Sequence, residues 1–373
     1  MARASNIWHL GLKELRCLYR DKVLFIFILI AFTFMIYVAG KAASQELHNA
    51  PIAVVDEDRS PLSARLINAF YPPYFKTPEL IELADIDPGM DQARFTFAIN
   101  IPPNFQRDVL AGKRPDLQVN VDATQMTQAF IGANYIQNIA QTEVGEYLRG
   151  YRTGPALPVK LDIRLRFNPT RTSEWFGGVV ELINMITMLS VILSGAALIR
   201  EREHGTLEHL LVMPLTPVEI MLAKVWSMSL VVLVAAGLSL HFIIQGVLHM
   251  PIAGSVTLFL CAAALMLFST TSLGIFLGTV ARTMPQLGLL MILIIMPMQM
   301  LSGGLTPYES MPAGVQTIML GAPTTHFVRI SQAILFRGAG IETVWPNFLA
   351  ITAIGALLFT ASLSIFRRSL TKL

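Results

Sequence analysis

The sequence predicts an α-helical polytopic membrane protein, with six transmembrane helices and an external α/β domain inserted between the first and second spans. Three observations carry this. The chain is 53% hydrophobic and 14% charged, against roughly 25% charge in an average soluble domain. The charges are concentrated, because 41–174 holds 30 of the 53 Asp, Glu, Lys and Arg residues. Apolar runs long enough to cross a bilayer core, about 20 residues in a helix, recur on both sides of that charged block.

Six runs qualify: 23–40, 176–199, 225–248, 252–281, 286–301 and 348–366. The fifth is short and contains Pro297. Basic residues before the first run and VAGKAAS after it resemble a cleavable signal. The 22-residue leader and the five downstream runs point instead to an uncleaved signal-anchor. Within residues 1–22, Trp8, Leu12, Leu15 and Tyr19 fall at helical spacing with Lys13, Arg16 and Arg20 on a neighbouring face. This is the pattern of an amphipathic helix lying in the cytoplasmic interface.

Orientation follows from Lys and Arg near the span ends. Arg3, Lys13, Arg16, Arg20, Lys22, Arg200, Arg202, Lys224, Arg282, Arg367, Arg368 and Lys372 fall on one side, against Arg329 and Arg337 on the other. Both termini are therefore expected in the cytoplasm and 41–174 outside.

In the inserted domain, PIAVVD, IELAD, FAINIP, LQVNVDA and LDIRLRF read as strands. Residues 61–70, 104–111 and 127–148 read as helices, so a small α/β domain with some parallel pairing is expected. Cys17 and Cys261 lie outside it, and their spacing fits neither a metal site nor a disulfide framework. After the fifth run, LSGGLTPYESMP breaks the pattern. Region 302–345, with Pro323, His326 and Arg329, reads as external and re-entrant, since irregular polar backbone at membrane depth needs protein or water around it. A seventh span there would place the basic carboxyl terminus outside.

The segment IREREHGTLEHLLVMPLTPVEIMLAK, 199–224, is the most informative. Gly205 suits a left-handed cap ending the second span, and Thr206 opens a new helix with Glu208 in its first turn. Leu207, Leu210 and Leu211 share a face until Pro214 stops that helix. Thr216, Pro217 and Glu219 then form a capping box. A short helix over 205–213 thus crosses the cytoplasmic face with an apolar stripe that needs a partner. Lipid headgroups are one candidate; the alternation of Glu201, Glu203 and Glu208 with Arg200 and Arg202 favours a cytosolic protein.

These residues resemble the signature of the type-2 ATP-binding cassette permeases, E-x-E-x-G-T-x-E-x-L-x-x-x-P-x-[ST]-x-x-E-[IL]-x-x-x-K. The matching positions are Glu201, Glu203, Gly205, Thr206, Glu208, Leu210, Pro214, Thr216, Glu219, Ile220 and Lys224. The likeness extends to FAINIPPNFQRDVLAGKRPDLQVNVDAT, MPQLGLL and PTTHFV. The resemblance implies the permease of an exporter in a bacterial inner membrane, non-catalytic and binding no cofactor itself. A cytosolic ATPase would bind ATP and Mg, a second permease copy or paralogue would complete the path, and a periplasmic membrane-fusion adaptor is a further implied partner. Nucleic acid is not. In that family the segment between spans two and three is the coupling helix. Carried over, the resemblance assigns ATPase coupling to Glu201, Glu203, Gly205, Thr206, Leu207, Glu208, Leu210, Leu211 and Pro214.

No G-x-x-x-x-G-K-[ST] phosphate loop is present; Gly40-Lys41 and Gly112-Lys113 lack its context. Asp56 and Asp58 resemble the nucleophile strand of haloacid-dehalogenase phosphatases, but surface turn acids explain them. Ionisable groups inside spans are functional candidates by default. Glu181, with Asn184, Thr187 and Ser194 along its helix, and His241 with Gln245 are candidates to line a translocation path; bonding between neighbouring helices is the alternative. Gly274 and Gly278 form a small-xxx-small pair suited to close packing. The competing function is an ion- or proton-coupled secondary transporter, which calls for more buried titratable groups and symmetric broken helices.

Overall fold

A computed structural model of the chain describes residues 2–42, 47, 49–122, 126–150, 172–203, 205 and 215–370. The chain divides into two compact units, one formed by 1–44 with 165–373 and the other by 45–164.

The first unit is helical. Five helices are long and apolar enough to cross a membrane: Lys22–Ala42 (span one), Ser173–Glu203 (two), Pro217–Val247 (three), Val256–Val280 (four) and Ile341–Arg368 (six). Met284–Met300, at 17 residues, is the shorter fifth apolar helix. The ends are set by caps rather than by where hydropathy fades. Asp21 accepts from Leu24 N at 3.1 Å before span one, and Ser255 accepts from Leu258 N at 3.3 Å. The latter cap explains why span four starts at Val256 and not at Ile252, as its hydropathy suggests. Two stretches, Ala31–Met35 in span one and Leu240–Val247 in span three, are π-helical.

Span two is the most enclosed of the five. It packs on span four through small residues. A Cβ at Gly274 would stand 2.0 Å from Ser194 Oγ, and one at Gly278 would stand 2.8 Å from Gly195 O, so only glycine permits this approach. Ser190 Oγ donates across the contact to Thr270 Oγ1 at 2.6 Å. Around it Leu182, Ile186, Leu189, Phe259, Met266 and Phe327 form the centre of the core.

Region 302–345 contributes a turn at Tyr308–Ser310 and two short helices, Ala313–Met319 and Pro323–Leu335. The second is buried along most of its length. Two of its polar side chains are bonded within the protein: the ring nitrogens of His326 lie 3.0 Å from Asn347 Oδ1 and from Leu320 O, and Thr324 Oγ1 donates to Met298 O at 3.3 Å. At 7 and 13 residues, neither helix is long enough to be a seventh span.

The second unit holds a four-stranded sheet in the order β2-β1-β3-β4, with β1 Ile52–Asp56, β2 Glu79–Leu80, β3 Phe97–Ile101 and β4 Gln118–Val121. Strand β1 pairs in parallel with β2 and β3, and β3 pairs antiparallel with β4. Side chains alternate between two cores, as a period of two requires. Ile52, Val54, Phe97 and Ile99 meet Leu62, Leu66 and Ile136 on one face; Ala53, Val55 and Ala98 meet Ile86 and Phe95 on the other. Helix Met126–Arg149 is tied to helix Pro61–Asn68 by Arg65, which pairs with Glu143 at 2.5 Å and Glu146 at 2.7 Å.

One expected strand is corrected. IELAD is not a strand; Leu83–Asp85 form a 3-10 turn leading into helix Ile86–Asp91, because Glu82 and Asp85 cap each other's backbone. The short strand lies just before it. LDIRLRF falls outside the described residues. Asp56 accepts from Arg59 N at 2.8 Å and Ser63 Oγ at 2.9 Å, and Asp58 accepts from Gln106 N at 3.0 Å. Both acids are thus occupied in turn and helix-start hydrogen bonds.

Candidate functional site

Span two ends at Glu203, and beyond Gly205 the described chain continues from Leu215 into span three. Thr206, Leu207, Glu208, Leu210, Leu211 and Pro214 lie outside the described residues, so the geometry available is that of the two roots. At the first root Gly205 adopts φ +65°, the left-handed cap expected of it, and its N–H donates to Arg202 O at 3.1 Å. Glu203 is exposed. At the second root Thr216 caps span three: its hydroxyl accepts from Glu219 N, while the Glu219 carboxylate accepts from Thr216 N at 2.7 Å.

Between the roots lies a group that sequence reading did not assemble. Lys224 is 1% exposed, a position a lysine occupies only when paired. Its ammonium lies 2.8 Å from Glu201 Oε2, at the end of span two, and 3.0 Å from Glu14 Oε1 on the amino-terminal helix, Ala2–Arg20. Lys13 adds a contact to Glu201 Oε1 at 3.1 Å. Two cations and two carboxylates thus form a neutral cluster joining three helices. Burying such charges is costly, and the cost is offset only by close pairing of this kind.

The amino-terminal helix is fastened beside it. Its protein-facing residues are Gly11, Glu14 and Leu18, spaced at helical intervals, while Trp8 and Tyr19 stay exposed. The apolar stripe read from the sequence therefore borders the contact, and its centre is a buried carboxylate. Further ties brace the same end of the bundle. Arg200 Nη1 donates to Asp21 Oδ2 at 2.8 Å, and Arg202 Nη1 donates to Ala281 O, the C-cap of span four, at 2.7 Å. The signal for the cluster was present in part: Lys224 closes the motif, and Glu14 is the one acid in a helix otherwise basic.

The second group of candidate residues divides. On span two, Asn184 and Thr187 are buried, and Glu181 is half-buried with Asn184 Nδ2 3.4 Å from its Oε2. Thr187 Oγ1 donates to Ile183 O at 2.9 Å, and Gln299 of the fifth apolar helix donates to Asn184 O at 3.0 Å. His241 is exposed, in the π-helical part of span three, with Nδ1 3.2 Å from Gln245 Oε1. Among the described residues no hydrogen bond joins the two groups.

The model for the ABC-2 family transporter proteins matches residues 22–364. The chain belongs to this ABC-2 transporter family. It is 58% identical over 370 residues to the inner membrane transport permease YhhJ of Escherichia coli (strain K12), covering 99% of each chain. It is 30% identical over 366 residues to the probable multidrug ABC transporter permease YbhR of the same strain, covering 97% of this chain and 98% of that one. A third relative, the probable multidrug ABC transporter permease YbhS of the same strain, is 23% identical over 366 residues, covering 96% of this chain and 93% of that one. This ABC-2 chain is accordingly an inner-membrane, multi-pass permease subunit, non-catalytic in itself. Glu201, Gly205, Thr216, Glu219 and Lys224, motif residues at the two loop roots, sit at the structural junction of the permease.

Proposed function

We propose that this permease forms the translocation path of an ATP-driven exporter and takes its drive from a separate cytosolic ATPase seated on residues 205–213. The observation that supports this most is the neutral cluster of Lys13, Glu14, Glu201 and Lys224. It ties both roots of the 204–215 loop to the amino-terminal helix, so that a push on the loop is borne by spans two and three and by that helix together. A slack loop would dissipate such a push. The ATPase supplies ATP and Mg; this chain contributes the receiving surface, with Glu201, Glu203 and Gly205 at its edge.

In this reading both termini are cytoplasmic, the 41–174 domain faces outward, and region 302–345 is re-entrant from the outer side. A second copy or a related permease completes the path, which runs past Glu181, Asn184 and Thr187; His241 and Gln245 line it less directly, being on an exposed face of span three. The outward domain offers a place for a periplasmic adaptor.

The deciding experiment is recruitment. Two leucines buried against a partner contribute roughly 1.5 to 3 kcal/mol each. Replacing Leu210 and Leu211 with Asp removes that contact and adds two negative charges. The doubly substituted permease is expected to insert at normal level, to lose copurification of the ATPase and to lose transport. Equal ATPase recovery together with full export would make 205–213 a lipid-facing connector instead.

A further inference from the structure

Between the amino-terminal helix and spans one and three lies a cavity of 630 Å³. Its walls are apolar and include Leu18, Phe25, Phe32, Val231, Ala235 and Phe242. The polar residues among its lining side chains are few, and the hydroxyl of one, Thr33, donates to Leu29 O at 2.6 Å. Several wall residues stand open on the outer surface of the bundle, Phe25 at 47% and Val234 at 53% exposure, so the cavity is a groove entered from the side. Along span three it runs from Leu230 to Ile243, about 20 Å at 1.5 Å per residue. That exceeds half of a hydrocarbon core of about 30 Å, enough to take one acyl chain of one leaflet.

One end of the groove is closed by Leu15, Leu18 and Tyr19 of the amino-terminal helix. Neighbouring these wall residues in the sequence are Arg16, Arg20 and Lys22, all exposed and none paired with a carboxylate among the described residues. The cations nearby that are paired, Lys13 and Lys224, belong to the neutral cluster on the protein-facing side. An apolar slot with free positive charge at its mouth matches a ligand with an apolar tail and an anionic head.

We infer that this groove binds an anionic phospholipid from the leaflet in which the amino-terminal helix lies, one acyl chain in the slot and the phosphate against Arg16, Arg20 and Lys22. A second copy of the chain is the other apolar occupant to weigh, and charge disfavours it. A two-fold contact presents the same patch from both sides, which would bring these three cations of each copy together while the carboxylate among them, Asp21, is already paired with Arg200. A lipid headgroup supplies the missing charge.

The test uses the full-length chain, incorporated into vesicles of equal phosphatidylglycerol and phosphatidylcholine, extracted in mild detergent and weighed by native mass spectrometry. One phosphatidylglycerol retained per chain, at least tenfold over phosphatidylcholine, is expected. Substituting Arg16, Arg20 and Lys22 with Gln should reduce that preference by about fivefold per charge, the value of one basic residue at an anionic surface. Filling the groove with Val234→Phe and Ala235→Phe should abolish retention of either lipid. Lipid held only in the shell around the protein would be lost equally from all variants, and that result overturns the inference. So does retention without headgroup preference in the unsubstituted chain, and so does near-complete disulfide cross-linking of two copies through Leu238→Cys in the membrane, with Cys17 and Cys261 replaced by Ser, which would assign the groove to a second copy. The charge variant alters exposed side chains only, so it decides the headgroup claim even if the filled variant does not fold.

Discussion

Trp8 and Trp226 stack with ring centroids 5.0 Å apart and planes within 4° of parallel, while the indole N–H of Trp226 donates to Ile7 O at 3.1 Å. Gly11 lies directly under the same indole, where a Cβ would stand 2.1 Å from Cζ2. The amino-terminal helix is therefore clasped to span three by ring, hydrogen bond and close approach at once. Trp8→Leu should weaken the clasp by about 0.5 to 1.5 kcal/mol, the worth of an aromatic pair beyond its buried area. Gly11→Val should weaken it more, because the indole has to leave. Thermal unfolding of the purified chain reports this, as does tryptophan emission once Trp175 and Trp345 are replaced by Phe; an unchanged emission in Gly11→Val in that background would show that the helix is not seated on that ring.

The ion cluster makes a second prediction through its asymmetry. Lys224→Met leaves Glu14 and Glu201 buried without their shared counter-ion, and breaking a buried pair from one side costs roughly 3 to 5 kcal/mol. Adding Glu14→Gln and Glu201→Gln removes the stranded charge, so the triple variant should recover more than half of the lost stability. Equal destabilisation of the single and triple variants, measured by thermal aggregation in detergent, would mean that lysine packing and not charge balance holds the junction.

Glu181 gives a third. Its carboxylate is half-buried on span two with one weak contact from Asn184, and a carboxylate within a span is seldom idle. Glu181→Gln should lower transport severalfold while leaving the amount of inserted protein unchanged. Unaltered export from a normally inserted variant would remove Glu181 from the path.

Orientation is checked by labelling. In a background with Cys17 and Cys261 replaced by Ser, single cysteines at Asn120 and Ser310 should react with an impermeant thiol reagent added outside, and those at Glu203 and Leu370 should not. Reaction at Glu203 would invert the twelve-to-two distribution of basic residues that sets the expected topology.

What could be read in advance was whatever depends on local chemistry. Spans announce themselves by composition, and Gly205, Thr216 and Glu219 carry caps whose residue types are dictated by backbone geometry. The parallel part of the sheet was legible because Val, Ile and Phe cluster in Ile52–Asp56 and Phe97–Ile101. IELAD misled because its apolar residues satisfy a strand pattern while its acids cap a turn, and the capping prevailed. The ion cluster was hidden for a different reason: Glu14, Glu201 and Lys224 are separated by as many as 210 positions, and no local pattern says which distant carboxylate a buried lysine will find. The π-helical stretches carry no periodicity of their own, so the exposed position of His241 was equally invisible.

The fifth apolar helix has a consequence for the membrane itself. Its 17 residues span about 26 Å at 1.5 Å per residue, some 4 Å short of an average hydrocarbon core. Leu289, Ile292, Leu293 and Met296 are exposed along it, and wherever acyl chains rather than a second permease touch them, those chains must be compressed to match. Compression costs a fraction of a kcal/mol for each ångström. A lipid-facing fifth helix would make the bilayer thinnest along that side, and lengthening the surrounding lipids would raise the elastic load there first.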